Sequence, residues 1–221
     1  MSITQEPPSG RSAAEFPLPS RQSMDSILQQ LRALVPDRRT THIESLRIAE
    51  RQARLLRELL DSHVDTFDTD LVKAIPRITI DTLIGEIPFS GASFWNGNTW
   101  HVHIRGEEPL THQRFTILHE LKHILDHPVQ ARIYDDRAFV CYGERELIAD
   151  YFAACVLLPE DRFRAAYKKT HDHQVLADQF GVSVRRILYR LSELDLTETV
   201  TQIPLRSMQP AHVPVVQRAI A

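Results

Sequence analysis

Long apolar runs, glycine, paired cysteines and an excess of positive charge are all scarce in this sequence of 221 residues. No stretch reaches the roughly 20 consecutive apolar residues that cross a bilayer, and residues 1–23 hold no apolar run of the kind a secretory signal needs. A membrane partner is therefore not expected, and the cytoplasm is the expected compartment. Cysteine occurs only at Cys141 and Cys155, without C-x-x-C spacing, which argues against a zinc knuckle and for two small buried hydrophobes kept reduced. Seven glycines are too few for a turn-rich β architecture, so helix should dominate. The 26 lysines and arginines against 29 acids, a net charge of −3, give no overall basic field with which to hold nucleic acid. What is present, 43% hydrophobic and 25% charged residues, suits an ordinary globular chain of one or two domains with a sizeable core.

Residues 1–22 mix Pro7, Pro8, Pro17 and Pro19 with polar residues and read as a disordered leader. From residue 23, Met24, Ile27, Leu28, Leu31 and Leu34 recur at helical spacing until Pro36. A second helix is expected from Thr41, which stands three residues before Glu44 as in a capping box, with Ile43, Leu46, Leu56 and Leu60 along one side. Arg47, Arg51, Arg54 and Arg57 on that helix alternate with acids and read as a solvated face with local ion pairs. Ile78 and Ile80 alternate with Thr79 as in a strand, and residues 93–104 read as a hairpin turning at Asn96-Gly97-Asn98. Helices follow over 111–126 and 144–158, the latter stopped by Pro159. A last pair, 173–180 and 184–194, is divided by Gly181, with Ser183 as an N-cap; residues 197–221 read as a tail.

Chemistry concentrates in the 111–126 helix, where His119, Glu120 and His123 form H-E-x-x-H. Positions four apart share a helix face, so both imidazoles can reach one metal ion. Glu120 is rotated by about 100° from His119, off the metal but near enough to take a proton from water. A catalytic zinc needs a third protein ligand and an open position. His127 lies ~12 Å along the axis from His119 and is too far. Glu146, which shares a face with Asp150 on the next helix, is the better candidate, with Glu144 as its competitor.

The stretches SGASFWNGNTWHVHI, HQRFTILHELKHILDH and ERELIADYFAACVLLPEDRF together resemble the ImmA/IrrE family of zinc metallopeptidases, matching it in order and spacing over about a third of the chain. Lys122 stands where many relatives carry glycine, and Leu158 where methionine is common. The resemblance implies an α+β fold: a helix-rich zincin-like metallopeptidase domain over residues 23–196, with a small antiparallel sheet. It implies His119, His123 and Glu146 as ligands of Zn2+, Glu120 as catalytic base and Asp150 as the acid behind a ligand histidine. It also implies a helix-turn-helix transcriptional repressor as the substrate. His101, His103, Tyr142 and Tyr151 are candidates to stabilise an oxyanion, although packing is the commoner role of such residues. A rival reading is carried by LADQFGVSVRRILYRL, which has the helix-turn-helix shape of a DNA reader with Arg185, Arg186 and Arg190 on its second helix. A third is a metal-bound module that regulates without cutting.

Overall fold

The protein is described by a computed structural model over residues 27–85, 87–134 and 138–196, without the side chains of 138–142. The leader over 1–22, Met24, the Cys141 and Tyr142 side chains and the tail from 197 lie outside the described residues.

Helix α1 (Ile27–Ala33) buries Ile27 and Leu31. Its Arg32 donates to the carbonyls of Ile124 and Leu125, acceptors that a helix end otherwise leaves open. Helix α2 (His42–Leu59) starts at the expected capping box: Glu44 N–H donates to Thr41 Oγ1 while Thr41 N–H donates to Glu44 Oε2. Leu56 and Leu60 of the expected stripe are buried and Leu46 packs against the core, but the stripe does not extend to Ile43. Ala49, Ala53, Gln52 and Leu56 are fully buried, whereas Ile43 is 62% exposed. Small alanines let a neighbouring helix approach closely, and that contact outweighs the larger apolar side chains at the solvent-facing start. Arg47, Arg51 and Arg54 are exposed, but Arg57 departs from the expected solvated face. It is buried over the Phe67 ring and donates to the carbonyls of Val156 and Val64.

After the short helix α3 (Asp70–Lys73), three strands follow, β1 (Ile78–Leu83), β2 (Gly91–Trp95) and β3 (Trp100–Arg105), in the order β1-β3-β2. The β2–β3 hairpin is antiparallel and turns where the sequence places it. Asn96 Oδ1 accepts from the N–H groups of Asn98 and Thr99, and Gly97 takes φ 96°. The expected wholly antiparallel sheet is corrected to a mixed one, because β1 lies on the far side of β3 and runs parallel to it. β2 follows at the opposite edge, on the other side of β3, and only tertiary packing decides the direction of β1.

Helix α4 (Leu110–Asp126) carries H-E-x-x-H and packs its faces on β2, β3 and α6 (Ala138–Leu157); α6 in turn packs on α2. The core between them includes Leu118, Leu121, Leu125, Ile148 and Phe152, all nearly inaccessible. Helix α6 begins six residues before the expected 144, with Gly143 inside it; the tertiary contacts that bury this helix outweigh glycine's poor propensity. Among the described residues between α4 and α6 is the short helix α5 (Gln130–Ile133). Pro159 ends α6 as expected but also opens an unanticipated helix, α7 (Glu160–Tyr167), a position where proline's missing N–H costs nothing. Helices α8 (His173–Phe180) and α9 (Val184–Glu193) match the expected pair. Gly181 caps α8 at φ 64°, and Ser183 Oγ accepts from Arg186 N–H.

Beneath α4 sits a buried polar network. The Lys122 ammonium, 2% exposed, donates to Asp126 Oδ1 at 2.6 Å and Gln52 Oε1 at 2.8 Å, and Tyr134 O–H donates to Asp126 Oδ2 at 2.5 Å. Replacing Lys122 by Met would take from the buried Asp126 carboxylate the cation hydrogen-bonded to it, leaving Arg32 to act on it only through space. A loss of about 3–5 kcal/mol in unfolding free energy is expected, measured by urea denaturation.

Candidate metal centre

Three elements bring the site together. Helical spacing on α4 stacks His119 and His123 with their Nε2 atoms 3.0 Å apart. Glu146, about two turns into α6, reaches both: Oε2 is 3.2 Å from His119 Nε2 and Oε1 3.3 Å from His123 Nε2. Asp150, one turn further on, accepts from His119 Nδ1 at 2.8 Å. That bond places the proton of a neutral His119 on Nδ1 and its lone pair on Nε2. From β2, Ser93 Oγ donates to Glu120 Oε2 at 2.7 Å. Gly91 permits the close approach of strand and helix, since a Cβ there would lie 2.3 Å from Thr116 Cγ2 and 3.2 Å from Glu120 Oε1.

Electrostatics follow from burial against pairing. Burial disfavours the charged form of His119, yet its hydrogen bonds to Asp150 and Glu146 outweigh this and hold it up at about 10. Burial would raise Glu146, but hydrogen bonds with His119 and His123 hold it well below the usual carboxylate range. The cluster is thus built to balance a carboxylate with positive charge among three converging donor atoms.

These donors fit a divalent cation. His119, His123 and Glu146 offer two imidazole nitrogens and one carboxylate oxygen that all lie within 4.8 Å of one another. Ligands at zinc bond lengths in a tetrahedron stand about 3.3 Å apart, close to the separations seen here, and three protein donors leave the fourth position open.

The other sequence candidates lie elsewhere. Glu144, the competitor for third ligand, pairs with His42 Nδ1 at 3.1 Å. His127 packs edge-on against Trp100 with ring centroids 4.9 Å apart. His101 and His103 alternate with the buried Val102 and Ile104, so they lie on the sheet face turned away from α4, against Phe94. Tyr151 sits under the Arg190 guanidinium at the α6–α9 contact; burial pushes its phenol up to about 12 and the thiol of the free Cys155 up to about 11.

Two contributions were not anticipated from the sequence. Ser93 holds the glutamate of the motif; its only signal was strand alternation, which puts it on the same face as Gly91. Arg186 lies over the Phe115 ring at 3.9 Å, one turn before His119, and burial there lowers its pKa. Arg190 is 1% exposed and donates to the Leu158 carbonyl and Glu193. Of the three arginines read as a DNA-reading set, Arg185 alone remains exposed, beside Tyr189.

An H-E-x-x-H helix laid on a small mixed sheet, with a carboxylate brought in from the next long helix, defines an α+β domain of the zincin-like class. The family model of the IrrE N-terminal-like domain, a peptidase family, matches residues 79–192, more than half of the chain, and the chain belongs to that family. A Propionyl-CoA carboxylase regulator of Cereibacter sphaeroides is 30% identical over 128 residues, 56% of this chain and 27% of the relative. The chain thus spans about a quarter of that regulator's length. A solved Mycobacterium tuberculosis transcriptional regulator shares the fold with a TM-score of 0.50 at 21% identity, over 75% of this chain and 62% of that one. No helix among the described residues is long and apolar enough to cross a membrane.

Proposed function

We propose that this chain is a zinc-dependent endopeptidase that cuts a helix-turn-helix transcriptional repressor and so relieves repression. The observation that carries the reading is the convergence of His119, His123 and Glu146 beside a glutamate held in place by Ser93. Family membership supports the peptidase class, and the regulator name of the Cereibacter relative supports a role in gene control.

In this reading His119, His123 and Glu146 hold the metal. Bound zinc supplies Lewis acidity, lowering the pKa of water toward ~7 and polarising the scissile carbonyl. Ser93 occupies Glu120 Oε2 and leaves Oε1 to take the proton from water and to return it to the leaving amine. Asp150 keeps His119 in the tautomer that binds through Nε2. The 3% exposure of both His119 and Glu120 limits water around the reacting groups.

Elemental analysis of the purified chain tests the metal, and about one zinc per chain is expected. Incubated with candidate helix-turn-helix repressors, the zinc-loaded chain should shorten one of them, as read by mass spectrometry, and a chelator should leave it intact. No metal after reconstitution with zinc would overturn the reading. DNA binding by the last two helices has less support, because Arg186 and Arg190 turn toward α4 and α6 rather than outward.

A further inference from the structure

Next to the metal donors lies a cavity of about 280 Å³ lined by Phe115, His112, Leu157, Val182, Ser183 and Arg186, among others. Ligand pockets commonly run from about 300 to 1,000 Å³, so this one has room for a side chain rather than a cofactor. Its walls are largely apolar, and its one strong charge is Arg186. The guanidinium carbon lies over the Phe115 ring, 3.9 Å from its centroid, and 5.8 Å from that of Tyr189. With no described residue does that side chain form a hydrogen bond or an ion pair; its backbone N–H alone is engaged, by Ser183. The nearby acids are committed elsewhere, Asp150 to His119 Nδ1 and Glu193 to Arg190. Of the other polar walls, His112 is taken by Glu108 at 3.2 Å, and Thr111 and Ser183 are neutral hydroxyls. Asp150 and Glu193 act on the guanidinium through space but neither is hydrogen-bonded to it. A preorganised fork of N–H donors with no carboxylate bonded to it, in a largely apolar cavity, is matched to a planar carboxylate.

Position ties the cavity to the reaction. Phe115 forms its wall and also stands 6.4 Å, ring to ring, from His119. One helical turn is about 5.4 Å, and an extended peptide advances about 3.3 Å per residue. We infer that this cavity is a specificity pocket in which Arg186 receives the carboxylate of an aspartate or glutamate side chain of the substrate peptide, one or two residues from the bond that is cut. The inference rests on the endopeptidase reading for its place in the reaction, but the pocket's preference for acids is testable without cutting.

The test uses a random mixture of decapeptides blocked at both ends, so that side chains supply every carboxylate. The zinc-loaded full chain, native or with Arg186→Gln, Arg186→Lys or Arg186→Glu, is immobilised and the retained peptides are sequenced; the same mixture is digested in solution and the cut sites mapped. The native chain should enrich Asp and Glu about tenfold among retained peptides, and at one fixed position beside each cut. Arg186→Gln should abolish the enrichment, and Arg186→Glu should shift it toward Lys and Arg. Arg186→Lys, which keeps the charge and most of the stem should the fold depend on the Phe115 stack, should preserve a weaker enrichment. Equal retention of acidic, neutral and basic peptides by the native chain would overturn the proposal. So would an acidic preference that survives Arg186→Gln, or a folded Arg186→Lys chain with none. Arg186-dependent retention with no cutting by any variant would uphold the pocket and reject the endopeptidase reading.

Discussion

Glu146→Ala is expected to leave a folded chain whose affinity for zinc has dropped by at least about a hundredfold. The carboxylate is one of three donors and the one that carries formal charge, reaching both imidazoles at 3.2 and 3.3 Å. Removing a group that merely orients a ligand costs about 10–100-fold in metal affinity, and removing the donor itself costs more. Two histidines on α4 would remain, held by Asp150 on one side only. Folding should survive, because Glu146 is partly exposed and the buried contacts of α6 come from Ile148, Phe152 and Val156. The measurement is competition for zinc against a chelator of known affinity, with Glu144→Ala alongside. That second variant loses only the pairing with His42 and should bind zinc as the native chain does. Native affinity in Glu146→Ala would show that the third donor is another group.

How far this site was legible beforehand depends on the distance over which each feature is decided. Helical spacing alone stacks His119 on His123, and a carboxylate pair four apart on the next helix pointed to Glu146 and Asp150. Local signals were equally sound for the Thr41 capping box, the Asn96-Gly97-Asn98 turn and the Gly181–Ser183 break, since each is a bond between near neighbours in the chain. The parallel pairing of β1 with β3 is decided by residues some twenty positions apart, and strand alternation carries no information on direction. Arg57 and Arg190 read as surface charges because arginine usually is one; carbonyls at Val156, Val64 and Leu158, distant in sequence, give them buried acceptors. The helix expected from 144 starts six residues earlier and takes in Gly143, because packing on α2 and α4 outweighs a local propensity of about 1 kcal/mol. Ser93 and Arg186 were missed for the same reason: their roles exist only once β2 and α9 are docked on α4.

Glu120→Gln separates proteolysis from regulation by binding alone. The amide matches the carboxylate in shape, and its oxygen can still accept from Ser93 Oγ, so neither the α4–β2 contact nor the three metal donors should change. What is lost is basicity: an amide cannot take a proton from water at neutral pH, and a positioned general base contributes about 10²–10⁴ in rate. The variant should therefore bind zinc as the native chain does while its cutting of a repressor falls by about that factor or more, followed as the rate at which the shortened product appears. Reporter expression from the repressor's target promoter supplies the second readout. If the target genes stay repressed with Glu120→Gln, cutting is the signal. If they are released as fully as by the native chain although no product forms, the zinc site serves to shape a surface that captures the repressor. The same glutamate then has only the structural task of anchoring β2 to α4 through Ser93, a task that glutamine performs as well.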